Sequence, residues 1–399
     1  MSGAPFIPKR FTQLKDTPAA YTGQALKLGR VNSGATALEF YDSDIVDIRD
    51  HGAVDGADSG SAINAAFTAA SAGSGRLFIP EGTFWVETSI VPQNNVYVFG
   101  CGPKSILKAK AGLNTPIIAG SSNSKIVFDN FAIDGNMANQ SNNQARGISL
   151  SACTNIDVKN LFMTQCFGHA IWTQSASSYI RIMDNYIYDT GSASITPANT
   201  GRAIYAYQSS KVTISRNRVR AADGFGLTVQ ETPESLIMGN TIEDSTTYDG
   251  MIIYNSDNVS VVGNTVKNVT DSGIVFELCD YFTCTGNLIQ EAGYVGLYFA
   301  GSSHGSVTAN VFKDNGQNNH ATYRHDIILT RSSTTPATRN TVSANICVAT
   351  AAIKARYGVQ EEYSDCDYNI ITSNQCEGHT VAGVSTLGAN SITANNITA

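Results

Sequence analysis

The sequence predicts an all-β chain, wound as a right-handed, single-stranded parallel β-helix with an N-terminal capping helix. Three observations lead there. One asparagine phrase returns at Asn217, Asn240, Asn264, Asn287 and Asn310, with spacings of 23, 24, 23 and 23 residues. Between these asparagines, short alternating apolar runs are separated by Gly, Asn, Asp and Ser, which makes each repeat strands and turns. A helical spacing of apolar residues appears near the start of the chain, at Ile63, Ala66, Phe67 and Ala70.

The repeat comes first because a period of this length marks a stacked architecture. Its local texts read ISRNRV, IMGNTI, VVGNTV, CTGNLI and VTANVF, each with an apolar residue two positions after the Asn. Three short strands and three turns per period make one rung. A single rung cannot bury its apolar face, so neighbouring rungs must stack. The recurring Asn is expected at a turn, with its amide bonded to the rungs above and below. The period widens to 32 residues between Asn185 and Asn217 and to 35 between Asn310 and Asn345. The extra stretches, near 190–201 and 315–325, are expected to leave the solenoid as loops that frame a groove.

Three sections follow along the chain: residues 1–44, a cap with its helix and first strands over 45–104, and rungs over 105–399. In the cap, Ser59 is placed as the helix N-cap, the helix ends at Gly73 or Gly75, and Leu77–Ile79 is the next strand. This section, DIVDIRDHGAVDGADSGSAINAAF and onward, resembles the start of pectate-lyase-like proteins of the rhamnogalacturonase and epimerase type. The resemblance implies a β-helix whose open end is plugged by the helix, covering an edge that would otherwise aggregate. The first section carries DTPAAYTG and resembles a module found near the N-termini of bacteriophage tail fibres and tailspikes. That resemblance implies other tail proteins as partners, a homotrimer, and a place in the virion tail or outside the cell after release.

Composition narrows the function classes. The chain has 399 residues, 42% of them hydrophobic and 15% charged, with a net charge of −7 and no basic run, so nucleic acid is not an expected partner. The N-terminal text has no secretory apolar stretch and no segment is long and apolar enough for membrane insertion, so synthesis in the cytoplasm without a signal peptide is expected. Eight Cys show no zinc spacing and read as reduced core thiols. No Asp-rich calcium cluster stands out, so no cofactor is expected and calcium is left open.

The strands preceding the asparagine phrases align as a stack with Ile148, Ile171, Ile204, Leu227, Met251, Ile274, Leu297 and Ile327 pointing inward. One outward column then holds Trp172, Tyr205 and Tyr298, and another Gln174, Tyr207, Gln230, Tyr254 and Glu277. Two residues before the inward positions stand Arg146, His169, Arg202, Asp249 and His325. Aromatic platforms, amides and charges on rungs about 4.8 Å apart suit a polysaccharide. Solvent-facing Tyr and Gln suit any strand surface, so the argument rests on their register.

Two cleavage chemistries fit. β-Elimination on a uronic-acid polymer needs a base and a cation beside the carboxylate. His169 or Tyr207 supplies the first and Arg202 or Arg146 the second, which puts a lyase slightly ahead. Hydrolysis needs two carboxylates, for which Asp223, Glu231, Asp249 and Glu277 are candidates on neighbouring rungs. IDGN (133–136) and FGHAIW (167–172) also resemble rungs of the mannuronan epimerases. Here, however, His169, Trp172 and Gln174 replace the Tyr, Asp and His of the epimerase phrase, so two acid/base positions are lost. A glycan-binding spike without catalysis and a purely structural solenoid complete the alternatives.

Overall fold

The computed structural model describes residues 28–31, 38–41, 44–191 and 201–398. From Val46 to Thr398 the chain winds through three sheets of 13, 12 and 14 strands, and along each sheet neighbouring strands are successive turns of the chain. The pairings between successive rungs are parallel, for example Ile214↔Ile237 and Ile237↔Val261. Strands of the solenoid already begin inside the cap section, at Val46–Asp47 and Arg76–Ile79. The DTPAAYTG phrase and residues 192–200 of the first loop lie outside the described residues. Of the first section, strands Leu28–Val31 and Leu38–Tyr41 form an antiparallel pair.

The asparagine phrase does what its spacing implies. Asn185, Asn217, Asn240, Asn264, Asn287, Asn310, Asn345, Asn374 and Asn396 form one ladder, each Nδ2 donating to the next Oδ1 at 2.9–3.1 Å. Each amide also reaches back to the preceding rung; Asn264 Nδ2, for example, donates to the Ile237 carbonyl at 3.0 Å. The residue before the Asn adopts left-handed backbone, as at Gly239, Gly263 and Gly286 with φ of 62–65°. Glycine recurs there because it takes this conformation without a Cβ penalty.

Inside, the eight aligned aliphatic residues are buried at 0–1% exposure. Phe276, Phe282 and Phe299 stack in the core with centroids 4.3–5.6 Å apart. The cap helix is Gly60–Ala72, and Ile63, Ala66, Phe67 and Ala70 form its buried stripe. Ser59 stands at its N-terminus but does not cap with its side chain. Its hydroxyl instead bonds the Val54 and Ala57 carbonyls, tying the preceding turn. Seven of the cysteines are buried thiols and Cys101 is exposed, with no disulfide.

Candidate functional site

The outer face of the 12-stranded sheet carries the candidate residues in the expected register. Trp172, Tyr205, Thr228, Ile252, Val275 and Tyr298 form one outward row. Tyr207, Gln230, Tyr254 and Glu277 form the second. Gln174 ends its strand opposite Ser151 on the preceding rung, half-buried. The aromatic row is interrupted by Thr228, Ile252 and Val275, which divides the face into two chemically different ends.

The first end is cationic and aromatic. The Arg146 guanidinium lies over the Trp172 ring at 3.6 Å, and that of Arg202 over Tyr205 at 4.3 Å and Phe225 at 4.9 Å. Trp172 and Tyr205 stack at 6.3 Å, and Tyr205 and Tyr207 at 5.6 Å. His169 packs edge-on against Tyr205, and its Nδ1 accepts the Arg202 main-chain N–H at 3.1 Å. The neutral ring must therefore carry its proton on Nε2. Burial, reinforced by the Arg202 and Arg146 charges, drives the His169 pKa well below the usual histidine value. Its one basic lone pair is thus occupied, which corrects the expectation of His169 as a base: this ring accepts a main-chain N–H and packs. Tyr205 is 9% exposed and donates to Gln230 Oε1 at 2.8 Å. Gln230 and Gln208 in turn donate to Glu231 at 3.3 and 2.9 Å, holding that carboxylate as an acceptor at a turn.

The second end is acidic. A cleft of about 460 Å³ is lined by Asp249, Asp271, Ser272, Glu277, Tyr294, Tyr298 and Tyr323, with Ile252, Val275 and Val295 as its apolar floor. Asp249 Oδ1 accepts the Ser272 N–H at 2.8 Å, and Ser272 Oγ donates to Asp271 Oδ1 at 3.3 Å. Burial, then the charge of Asp271, pushes the Asp249 carboxyl up to about 7. Asp271 is raised as well, by burial. Glu277 accepts from Ser332 Oγ at 2.7 Å. The loop over 315–325 frames this end as expected: Asn318 Nδ2 donates to the Thr270 carbonyl at 2.7 Å, while His320 packs on Tyr294 and Tyr323. Phe225 stacks on Tyr248 at 4.8 Å and links the two ends.

Two further assignments are corrected. Asp223 does not line the cleft; it accepts the Thr246 and Thr247 hydroxyls at 2.8 and 3.2 Å and fastens a turn. His325 is 1% exposed and stacks on Tyr357 at 5.4 Å, so it serves packing rather than ligand contact. Its pKa falls to about 4, chiefly through burial. Asp271, Tyr294 and Tyr323 were not anticipated. Asp271 stands 22 residues after Asp249, one rung on, and that spacing is the signal in the sequence that points to it.

Comparison with known proteins fits this architecture. A family model described as periplasmic copper-binding protein (NosD) matches residues 192–335, a minority of the chain. Among the described residues no three His, Cys, Asp or Glu side chains group as a metal site, so they do not fit a copper centre. No curated protein matches. Among solved structures, the A-module of the Azotobacter vinelandii mannuronan C-5 epimerase AlgE6 is 19% identical with a TM-score of 0.78, over 88% of this chain and 98% of that one. DFA-IIIase from Arthrobacter chlorophenolicus is 16% identical with a TM-score of 0.64, over 82% and 93%. The Dettilon tailspike protein is 13% identical with a TM-score of 0.63, over 86% and 68%. At these identities the likeness is one of fold: this chain is a right-handed parallel β-helix protein.

Proposed function

We propose that this chain cleaves a polysaccharide laid across the outer face of its 12-stranded sheet, by acid–base hydrolysis at Asp249 and Asp271. The observation that carries the reading is the carboxyl pair on successive rungs in a tyrosine-lined cleft, with one member pushed up to about 7. Two neighbouring buried carboxyls lose their protons in steps, and Asp249, which Asp271 raises further, is the one that holds its proton longer. Protonated Asp249 donates to the glycosidic oxygen as the C–O bond breaks. Ionised Asp271 takes a proton from the water whose oxygen joins the sugar carbon, and the two sugar ends leave as hemiacetal and alcohol. Tyr294, Tyr298 and Tyr323 supply stacking faces, and Glu277 is an acceptor for sugar hydroxyls. A tailspike-like depolymerase agrees with the fold likeness to the Dettilon tailspike protein and with the DTPAAYTG phrase. Other tail proteins and a trimer are the partners that this setting implies.

β-Elimination is the second reading, favoured by the cations Arg146 and Arg202 on the face that also carries Tyr207, which then replaces His169 as the base. One experiment separates these readings: incubation with a panel of acidic and neutral polysaccharides, following reducing ends and ultraviolet absorbance together. Hydrolysis gives reducing ends alone, abolished by Asp249→Asn. Absorbance rising with the reducing ends transfers the assignment to elimination. Retarded migration in a polysaccharide gel without cleavage leaves a binding spike.

A further inference from the structure

We infer that Arg146 and Trp172 form an anion subsite at the cationic end of the face, so that the polysaccharide is acidic and places a uronic carboxylate there. This rests on the glycan face proposed above and names the class of its substrate.

The argument begins with what the cation lacks. Arg146 is 5% exposed, yet among the described residues no carboxylate pairs with it and no acceptor bonds its guanidinium. Its Nε is sealed from solvent without a partner, and so is Nε1 of Trp172, on whose ring it lies at 3.6 Å. Burial lowers the Arg146 pKa to about 10, with no acid nearby to offset it. A cation–π contact stabilises a buried guanidinium only modestly. Taking an ion out of water costs more than such a contact returns, so the aromatic face does not balance the charge. Two orphan donors and an unneutralised guanidinium at one point are the complement of an oxyanion. Arg202, another cation near His169, deepens the field, and neutral His169 does not offset it.

Geometry then gives a reading frame. Arg146 immediately precedes the rung of Ile148–Ser151, and Asp249 that of Met251–Tyr254, four rungs further along the same sheet. At about 4.8 Å per rung the separation is roughly 19 Å. An acidic unit held at Arg146 therefore fixes which linkage, several sugars away, meets the carboxyl pair.

The test uses Trp172 as the reporter, in a Trp85→Phe background because the chain has only 2 Trp. Sodium acetate, methyl glucuronoside and the neutral methyl glucoside are titrated while tryptophan fluorescence is followed. The expected result is a saturable change with acetate and with the glucuronoside, weakened by salt, and none with the glucoside. Arg146→Met should abolish it, and Arg146→Lys should keep it with several-fold weaker affinity, both judged at matched melting behaviour. Silence toward both anions, an equal response to the glucoside, or a response that survives Arg146→Met overturns the subsite. Binding is read without turnover, so the two proposals fail separately. A bound anion with no polymer cleaved sinks the hydrolase alone, and cleavage without an anion response sinks the subsite alone.

Discussion

Asp249 and Asp271 are joined through Ser272, whose N–H donates to Asp249 Oδ1 at 2.8 Å and whose hydroxyl donates to Asp271 Oδ1 at 3.3 Å. Both bonds stabilise ionised carboxylates, yet Asp249 is still pushed up to about 7, because burial and the neighbouring charge outweigh them. A group in this state is poised to give a proton at neutral pH.

Asp249→Asn should therefore lower kcat by about 10²–10⁴, the usual worth of a general acid. In the wild type, kcat/KM should fall as pH rises through about 7, where Asp249 loses its proton. A flat profile from pH 5 to 9 on a cleaved substrate would remove Asp249 from the acid role.

The same residue should cost stability. Its folded pKa is above the unfolded value of about 3.9, so its favourable contribution is complete below that pH and is lost as pH rises through about 7. The penalty at pH 8 is at most about 4 kcal/mol, and partial exposure with solvent screening reduces it to about 1–2. Asp249→Asn is expected to melt higher than wild type at pH 8 and level with it at pH 4. Equal melting temperatures at pH 8 would mean that the carboxyl is not strained by ionisation.

The asparagine ladder predicts a large loss from a single amide. Asn264 Nδ2 donates to Ile237 O and Asn287 Oδ1, and its Oδ1 accepts from both nitrogens of Asn240. Asn264→Ala leaves buried partners unpaired on both sides, and should cost about 2–4 kcal/mol. Denaturant unfolding with an unchanged m-value would measure it; a loss below 0.5 kcal/mol would make the ladder ornamental.

Thiol accessibility offers an independent check of the winding. Of the eight cysteines, only Cys101 is exposed, and burial pushes Cys166 and Cys284 up to about 12. One thiol should titrate rapidly with a disulfide reagent in the native protein, and all eight after denaturation. Fast reaction of Cys284 or Cys376 would place those strands in the wrong register.

How much of this was legible follows from what kind of information each feature uses. The rung period, the asparagine ladder, the inward column from Ile148 to Ile327 and the cap helix were written in local spacing. They follow because alternation and turn residues act over a few positions, and stacking repeats them. The register of Trp172 with Tyr205, and of Tyr254 with Glu277, came with the same alignment.

Other features depended on which groups lose water and on where loops of unequal length return. His169 and His325 look alike in the aligned strands, but one accepts the Arg202 main-chain N–H and the other is packed on Tyr357. Asp223 and Asp249 both precede a glycine, but one is bound by two threonine hydroxyls and the other shares a cleft with Asp271. Buried Asp326 bonds His379, 53 residues away, at 2.8 Å, a pairing without a periodic signal. The sequence determined the solenoid and the face that carries the candidate site. Only the tertiary structure decided protonation, charge pairing and role, because these depend on desolvation and on neighbours brought together across rungs.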